Sequence, residues 1–152
     1  MKTLSLAAVL LLTPLIATAQ SPAWKRAPGA SWICAGVGSD ERRALDELRP
    51  QAKLEVRFVT EKRGAYLAGV EWALIGSGSS TPLVQGPAEG PVCLVDAPPG
   101  AYRIEATYGG TKKGTRAVIG GKGMALATVA FPDAAWNGIS ASPEEKRQAA
   151  AP

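Results

Sequence analysis

A chain of 152 residues without a single histidine cannot run Ser–His or Cys–His nucleophilic chemistry, ligate zinc or copper through imidazole, or attach haem through a C-x-x-C-H run. Its 17 Lys and Arg against 13 Asp and Glu leave a net charge of +4, and no basic run is long enough to form a nucleic-acid stripe, so no nucleic-acid partner is expected. The length fits one domain with flanking tails, able to bury a sizeable core.

Residues 1–19 read as a cleavable secretory signal peptide. Lys2 supplies the positive start, an apolar run extends from Leu6 to about Ile16, and Ala17-Thr18-Ala19 places small residues where signal peptidase reads. That run is too short to cross a bilayer as a helix, which needs about 20 residues. Cleavage after Ala19 predicts a periplasmic or secreted protein with no membrane span. Cys34 and Cys93 are the only cysteines. An even count in an oxidising compartment predicts a disulfide, with two buried thiols as the alternative. Closing a loop of that length adds on the order of 3 to 4 kcal/mol in the chain-entropy model.

Residues 20–37 hold two Pro, two Gly and several small residues and read as an extended lead-in, with Trp32 and Ile33 marking where the chain first docks. Residues 38–50 read as a short helix. Ser39 is placed to cap it, Asp40 and Glu41 complement its dipole, and Ala44, Leu45 and Leu48 make a narrow apolar stripe. Pro50 stops it. From Lys53 the period changes to two. Leu54, Val56 and Phe58 alternate with Glu55, Arg57 and Val59, the pattern of a half-buried antiparallel strand. Further strands are expected at Val70–Leu74, Thr81–Gln85, Val92–Val95, Tyr102–Tyr108, Gly114–Ile119 and Met124–Phe131, separated by Gly-, Pro- and Ser-rich turns. Seven short strands at this spacing over residues 53–132 predict an all-β fold, a seven-stranded antiparallel β-sandwich preceded by one short helix. Residues 133–152 read as a flexible tail.

At Leu94-Val95-Asp96-Ala97-Pro98-Pro99-Gly100-Ala101-Tyr102-Arg103-Ile104 the sequence resembles the carboxypeptidase regulatory-like domains, whose transthyretin-like (prealbumin-like) sandwich is also similar to the B-type repeats of bacterial collagen adhesins. Gly69-Val70-Glu71-Trp72 resembles a further strand of that family. The layout is similar to small exported proteobacterial proteins with one such domain behind a Gly-Ser-Asp-Glu helix. The resemblance covers roughly residues 54–131. It implies an accessory, structural or binding module with no shared catalytic residues. A catalytic transthyretin-like relative, the hydroxyisourate hydrolase, uses His, which this chain lacks. The turn itself has a physical rationale. Pro98 and Pro99 stiffen it, Gly100 permits unusual backbone, Asp96 is placed to cap it, and the Tyr102 hydroxyl can reach a backbone carbonyl.

Among the acids, Glu55, Glu71 and Glu105 fall on the polar rows of their strands beside Arg57 and Arg103, which reads as surface ion pairing. A small carboxylate-based hydrolase would need two acids converging in a pocket, and the alternation does not put them there. Trp24 and Trp136 are candidate exposed aromatic contacts for a carbohydrate- or peptide-binding accessory protein, whereas Trp72 reads as core. The glycine-rich loops lack the phosphate-loop spacing. No catalytic residue, metal or cofactor is expected. The sequence points to an exported, non-enzymatic module with a binding or envelope-structural role, its end loops as the contact surface and its partner a protein or glycan of the cell envelope.

Overall fold

The computed structural model describes residues 22–135. Residues 1–19, Trp136 and most of the C-terminal tail lie outside them. Two sheets pack face to face and one short helix covers part of an outer face, so the chain is mostly β, with a sandwich at its centre.

The described residues form nine strands rather than seven. They are β1 (Lys25–Ala27), β2 (Ala30–Ala35), β3 (Leu54–Thr60), β4 (Val70–Gly76), β5 (Pro82–Ala88), β6 (Val92–Asp96), β7 (Gly100–Tyr108), β8 (Thr111–Ile119) and β9 (Ala125–Phe131). Helix α1 spans Ser39–Leu48, and a 3₁₀ turn follows at Arg49–Gln51. One sheet runs β1-β2-β6-β3-β9 and the other β5-β4-β7-β8. The expectation of an unpaired lead-in is corrected here. Residues 25–35 form a hairpin turning at Pro28-Gly29, and β2 pairs with β6 from Ser31↔Asp96 to Ala35↔Val92. The all-antiparallel expectation is corrected too, because β3 and β9 run parallel along their full length, from Leu54↔Ala125 to Thr60↔Phe131.

The core between the sheets comes from the alternate rows read in the sequence. Leu54, Val56 and Phe58 of β3 and Ala127, Val129 and Phe131 of β9 face Val70, Trp72 and Leu74 of β4 and Tyr102, Ile104, Ala106 and Tyr108 of β7. Aromatic contacts cross the gap, Phe58 edge-on to Trp72 with ring centroids 6.0 Å apart and Tyr108 tilted against Phe131 at 5.8 Å. Such pairs add roughly 1 kcal/mol each beyond their burial.

A second, smaller core lies on the other face of the five-stranded sheet. Ile33 and Ala35 of β2 and Val92 and Leu94 of β6 pack there under Leu45 of α1, with Ala52 beside them and Leu48 and Trp24 half-buried at the margin. Both faces of β2 and β6 are therefore buried, which is why they read as continuous apolar runs. Gly38 holds the N-cap position of α1, and Ser39 is its first helical residue rather than its cap. The Glu41 carboxylate instead takes the backbone N–H groups of Gly36 and Val37, both at 2.9 Å, so the acid of the first turn satisfies donors ahead of the helix.

Cys34 and Cys93 face each other across β2 and β6, with sulfurs 2.04 Å apart and Cα atoms 4.1 Å apart. The pair ties the N-terminal hairpin to the sheet. The turn into β6 passes directly beneath β2. A Cβ on Gly90 would stand 2.3 Å from the carbonyl carbon and oxygen of Ala35, a contact with rigid backbone on both sides. Gly90→Ala is expected to cost about 2 kcal/mol, read as a lower urea midpoint at unchanged m-value.

Candidate functional site

The Asp96–Tyr102 turn is structural. Tyr102 is buried, and its hydroxyl donates to the Pro98 carbonyl oxygen at 2.6 Å. Gly100 sits at φ 153, outside the region L side chains prefer. The expected Asp96 cap is absent. Asp96 is exposed, and its carboxylate has no hydrogen-bond partner among the described residues. The Tyr102 phenol, bonding back four residues to Pro98, closes the turn instead. Burial raises the Tyr102 pKa. The fold thus favours the neutral phenol. Its contribution is complete below the ordinary tyrosine value of about 10 and fades as pH climbs through the raised folded value. Tyr102→Phe is expected to cost about 1 kcal/mol at neutral pH. It should also flatten the loss of stability above about pH 10, checked by urea unfolding at pH 8 and 11.

The acids singled out in the sequence separate into different environments. Glu71 and Glu105 share the outer face of the four-stranded sheet. Lys112 and Arg103, bonded to Glu105 at 3.2 and 2.9 Å, hold its carboxyl below the usual range. Glu55 departs from its expected surface role. Its residue is 1% exposed and stands on β3 between Leu94 of β6 and Leu126 of β9. Its row points outward from the sandwich, but α1 and the 3₁₀ turn lie over that part of the sheet. Glu55 Oε2 accepts from Arg49 Nη1, and Oε1 accepts from Arg57 Nε. Arg49 also donates from Nε to Asp46 at 2.9 Å.

These groups line a cleft of about 110 Å³ between α1 and the outer sheet face. Arg42 and Asp46 of α1 and Arg49 at its C-terminal end follow one another at helical spacing and border one side of it. Glu55 and Arg57 come from β3, Pro91 and Val92 from the start of β6, and Tyr66, 55% exposed, stands at the rim. Tyr66 is placed there because the chain doubles back after β3. Thr60 N–H and Oγ1 bond Ala65, and Val59 bridges to Tyr66. Three guanidiniums meet two carboxylates, an excess of one positive charge. The Arg42 side chain has no partner among the described residues, nor do the terminal nitrogens of Arg57.

The arrangement favours recognition over proton transfer. Glu55 has both oxygens committed to guanidiniums, so it is not free as a general base. Among the described residues no three His, Cys, Asp or Glu side chains group as metal ligands.

Trp24 is half-buried against the α1 core, with its Nε1 shielded from solvent, so it is not the displayed aromatic the sequence suggested. Trp136 lies outside the described residues. Sequence reasoning missed the cleft altogether. The one available signal was Glu55 and Arg57 two apart on a strand preceded by a helix with Arg42 and Arg49 at its rows. No protein-family model matches the chain, and no curated protein matches it.

Proposed function

We propose that this chain is an exported, non-enzymatic β-sandwich module that works by binding, with the cleft between α1 and β3 as its contact site. The observation that carries this reading is Glu55, a fully buried carboxylate that fixes Arg49 and Arg57 at a solvent-open cleft. A buried ion pair is weak evidence for stability, and its retention fits a role in holding side chains in place. The cleft replaces the end loops as the favoured contact surface, and Trp24, half-buried against the α1 core, makes a weaker aromatic platform than a displayed ring.

Export is supported by the signal-like residues 1–19 and by the Cys34–Cys93 pair, which suits an oxidising compartment. No helix among the described residues is long and apolar enough to cross a membrane. The Pro98–Tyr102 turn within a two-sheet sandwich agrees with a carboxypeptidase regulatory-like module, and membership of that transthyretin-like group is part of the proposal.

Two experiments test it. Intact mass from the periplasm is expected to match a start at Gln20, with no alkylation until reductant is added. A retained leader or two freely alkylated thiols would overturn the export reading. Nitrophenyl esters and glycosides are expected to give no turnover above buffer. Turnover that disappears in Glu55→Gln would replace the binding reading with the hydrolase one.

A further inference from the structure

We propose that the α1–β3 cleft seats a monoanionic carboxylate group, held between Arg42 and Arg57, with the apolar part of the ligand lying against Tyr66. The inference rests on the binding reading above and specifies the ligand's chemistry.

The charge balance comes first. Arg42, Arg49 and Arg57 face Asp46 and Glu55 around one cavity, and one positive charge is left over. Arg49 faces two acids, Asp46 through Nε and Glu55 through Nη1, so its charge is already matched. The excess therefore falls on Arg42 and on the outer edge of Arg57, whose Nε alone is committed. Guanidinium edges match a carboxylate in geometry, through paired N–H donors. One uncompensated charge suits a monoanion better than a phosphate dianion.

Size and surface come next. About 110 Å³ admits a headgroup of a few heavy atoms and excludes a whole saccharide or peptide, so the remainder of the ligand must leave past the rim. There it meets the exposed ring of Tyr66, while Leu45, Pro91 and Val92 form an apolar wall inside. The site thus combines a charged interior contact with an apolar and aromatic surround, the combination that orients small ligands. Glu55 has a positioning role. Fixed below the two guanidiniums, it limits the rotamers Arg57 can adopt, so less entropy is lost when a ligand arrives. The carboxylate could be the end of a peptide or the acid of a uronic sugar, and the chemistry is shared.

The test uses the full mature protein and four probes. They are benzoate, its neutral counterpart benzamide, N-acetylphenylalanine as a peptide terminus and glucuronate as an acid sugar. Two-dimensional NMR follows backbone amides and arginine Nε–H groups. Benzoate is expected to produce saturable shifts at residues 36, 57, 66 and 92 and at the Nε groups of Arg42 and Arg57, with benzamide at least tenfold weaker. Arg42→Gln, an exposed change outside the core, is expected to weaken benzoate roughly tenfold, and Arg103→Gln on the opposite sheet to leave it unchanged. Stronger binding by N-acetylphenylalanine assigns a peptide terminus, and by glucuronate an acid sugar. Benzamide binding as well as benzoate, shifts that scatter without saturating, or an Arg42→Gln variant that binds as before would each overturn the proposal. Benzamide seated in the same cleft would still leave the binding reading standing, whereas that reading fails only through Glu55-dependent turnover.

Discussion

Replacing Cys34 and Cys93 together with alanine is expected to lower the unfolding free energy by about 4 kcal/mol, the chain-entropy value for a closed loop of this length. The two residues are 59 positions apart. The effect should be concentrated at one place. Residues 25–35 join the domain through the single ladder between β2 and β6, through Ile33 and Ala35 under α1, and through Ala30, Trp32 and Cys34 against the main core. Without the covalent tie, β1 and β2 can separate from β6 while β3 to β9 keep their pairing. Urea unfolding followed by far-ultraviolet dichroism gives the total loss. Hydrogen exchange should show the loss of protection first at residues 30–35 and along β6. Reductant added to the wild-type protein should reproduce both results. A total loss below about 1 kcal/mol would mean that the ladder and the packing on both faces of β2 hold the hairpin without the covalent tie.

The second large effect concerns the charges under α1. Arg49→Ala with Arg57→Ala leaves Glu55 in an apolar row, between Leu94 and Leu126, with neither partner. Stranding one member of a buried pair costs about 3 kcal/mol, at the low end of the usual range because both arginines are about one-third exposed and already share water. Glu55→Leu in the same background should restore most of the loss, since the neighbouring residues are leucines and the buried charge is gone. Glu55→Leu alone is expected to fall within about 1 kcal/mol of the wild type, as apolar replacements of buried ion pairs do. The measurement is a set of urea midpoints for the four proteins. If the double arginine variant were as stable as the wild type, Glu55 would not depend on its partners, and the positioning role assigned to it would fail.

Apart from β6, whose two faces are both covered, the strands from Leu54 onward were legible because one face lies in the core and the other outside, so period two survives in the residues. The Tyr102 turn was legible for a local reason, the stiffness of Pro98-Pro99 before Gly100. The N-terminal hairpin was not. β1 is three residues long, and β2 carries no alternation because both its faces are covered. Its best signal, Pro28-Gly29 between Ala27 and Ala30, fits a tight turn with Gly29 at φ 88, yet it was read only as loop composition. The parallel pairing of β3 with β9 joins distant parts of the chain and leaves no local trace. The cleft was lost for a related reason. Alternation tells that Glu55 points away from the main core, but what lies over that side is decided by where α1 packs, and nothing within β3 records it. The same pattern was sufficient for Glu105, whose side of the sheet is open.

The pairing of Leu54–Thr60 with Ala125–Phe131 also sets an order of events. Among the described residues β3 is the third strand and sits inside its sheet, yet one of its two neighbours is the ninth and last. A chain emerging from a ribosome or a translocation pore amino end first would expose β3 long before its partner arrives. Only β6 could pair with it in the meantime. Completion of the domain is then a late, long-range step, slow by the logic of contact order, and until it occurs the free edge of β3 is open to pairing with another chain. The exposure is greatest in the interval before residue 131 is released, when β3 has a free edge and no β9 to cover it.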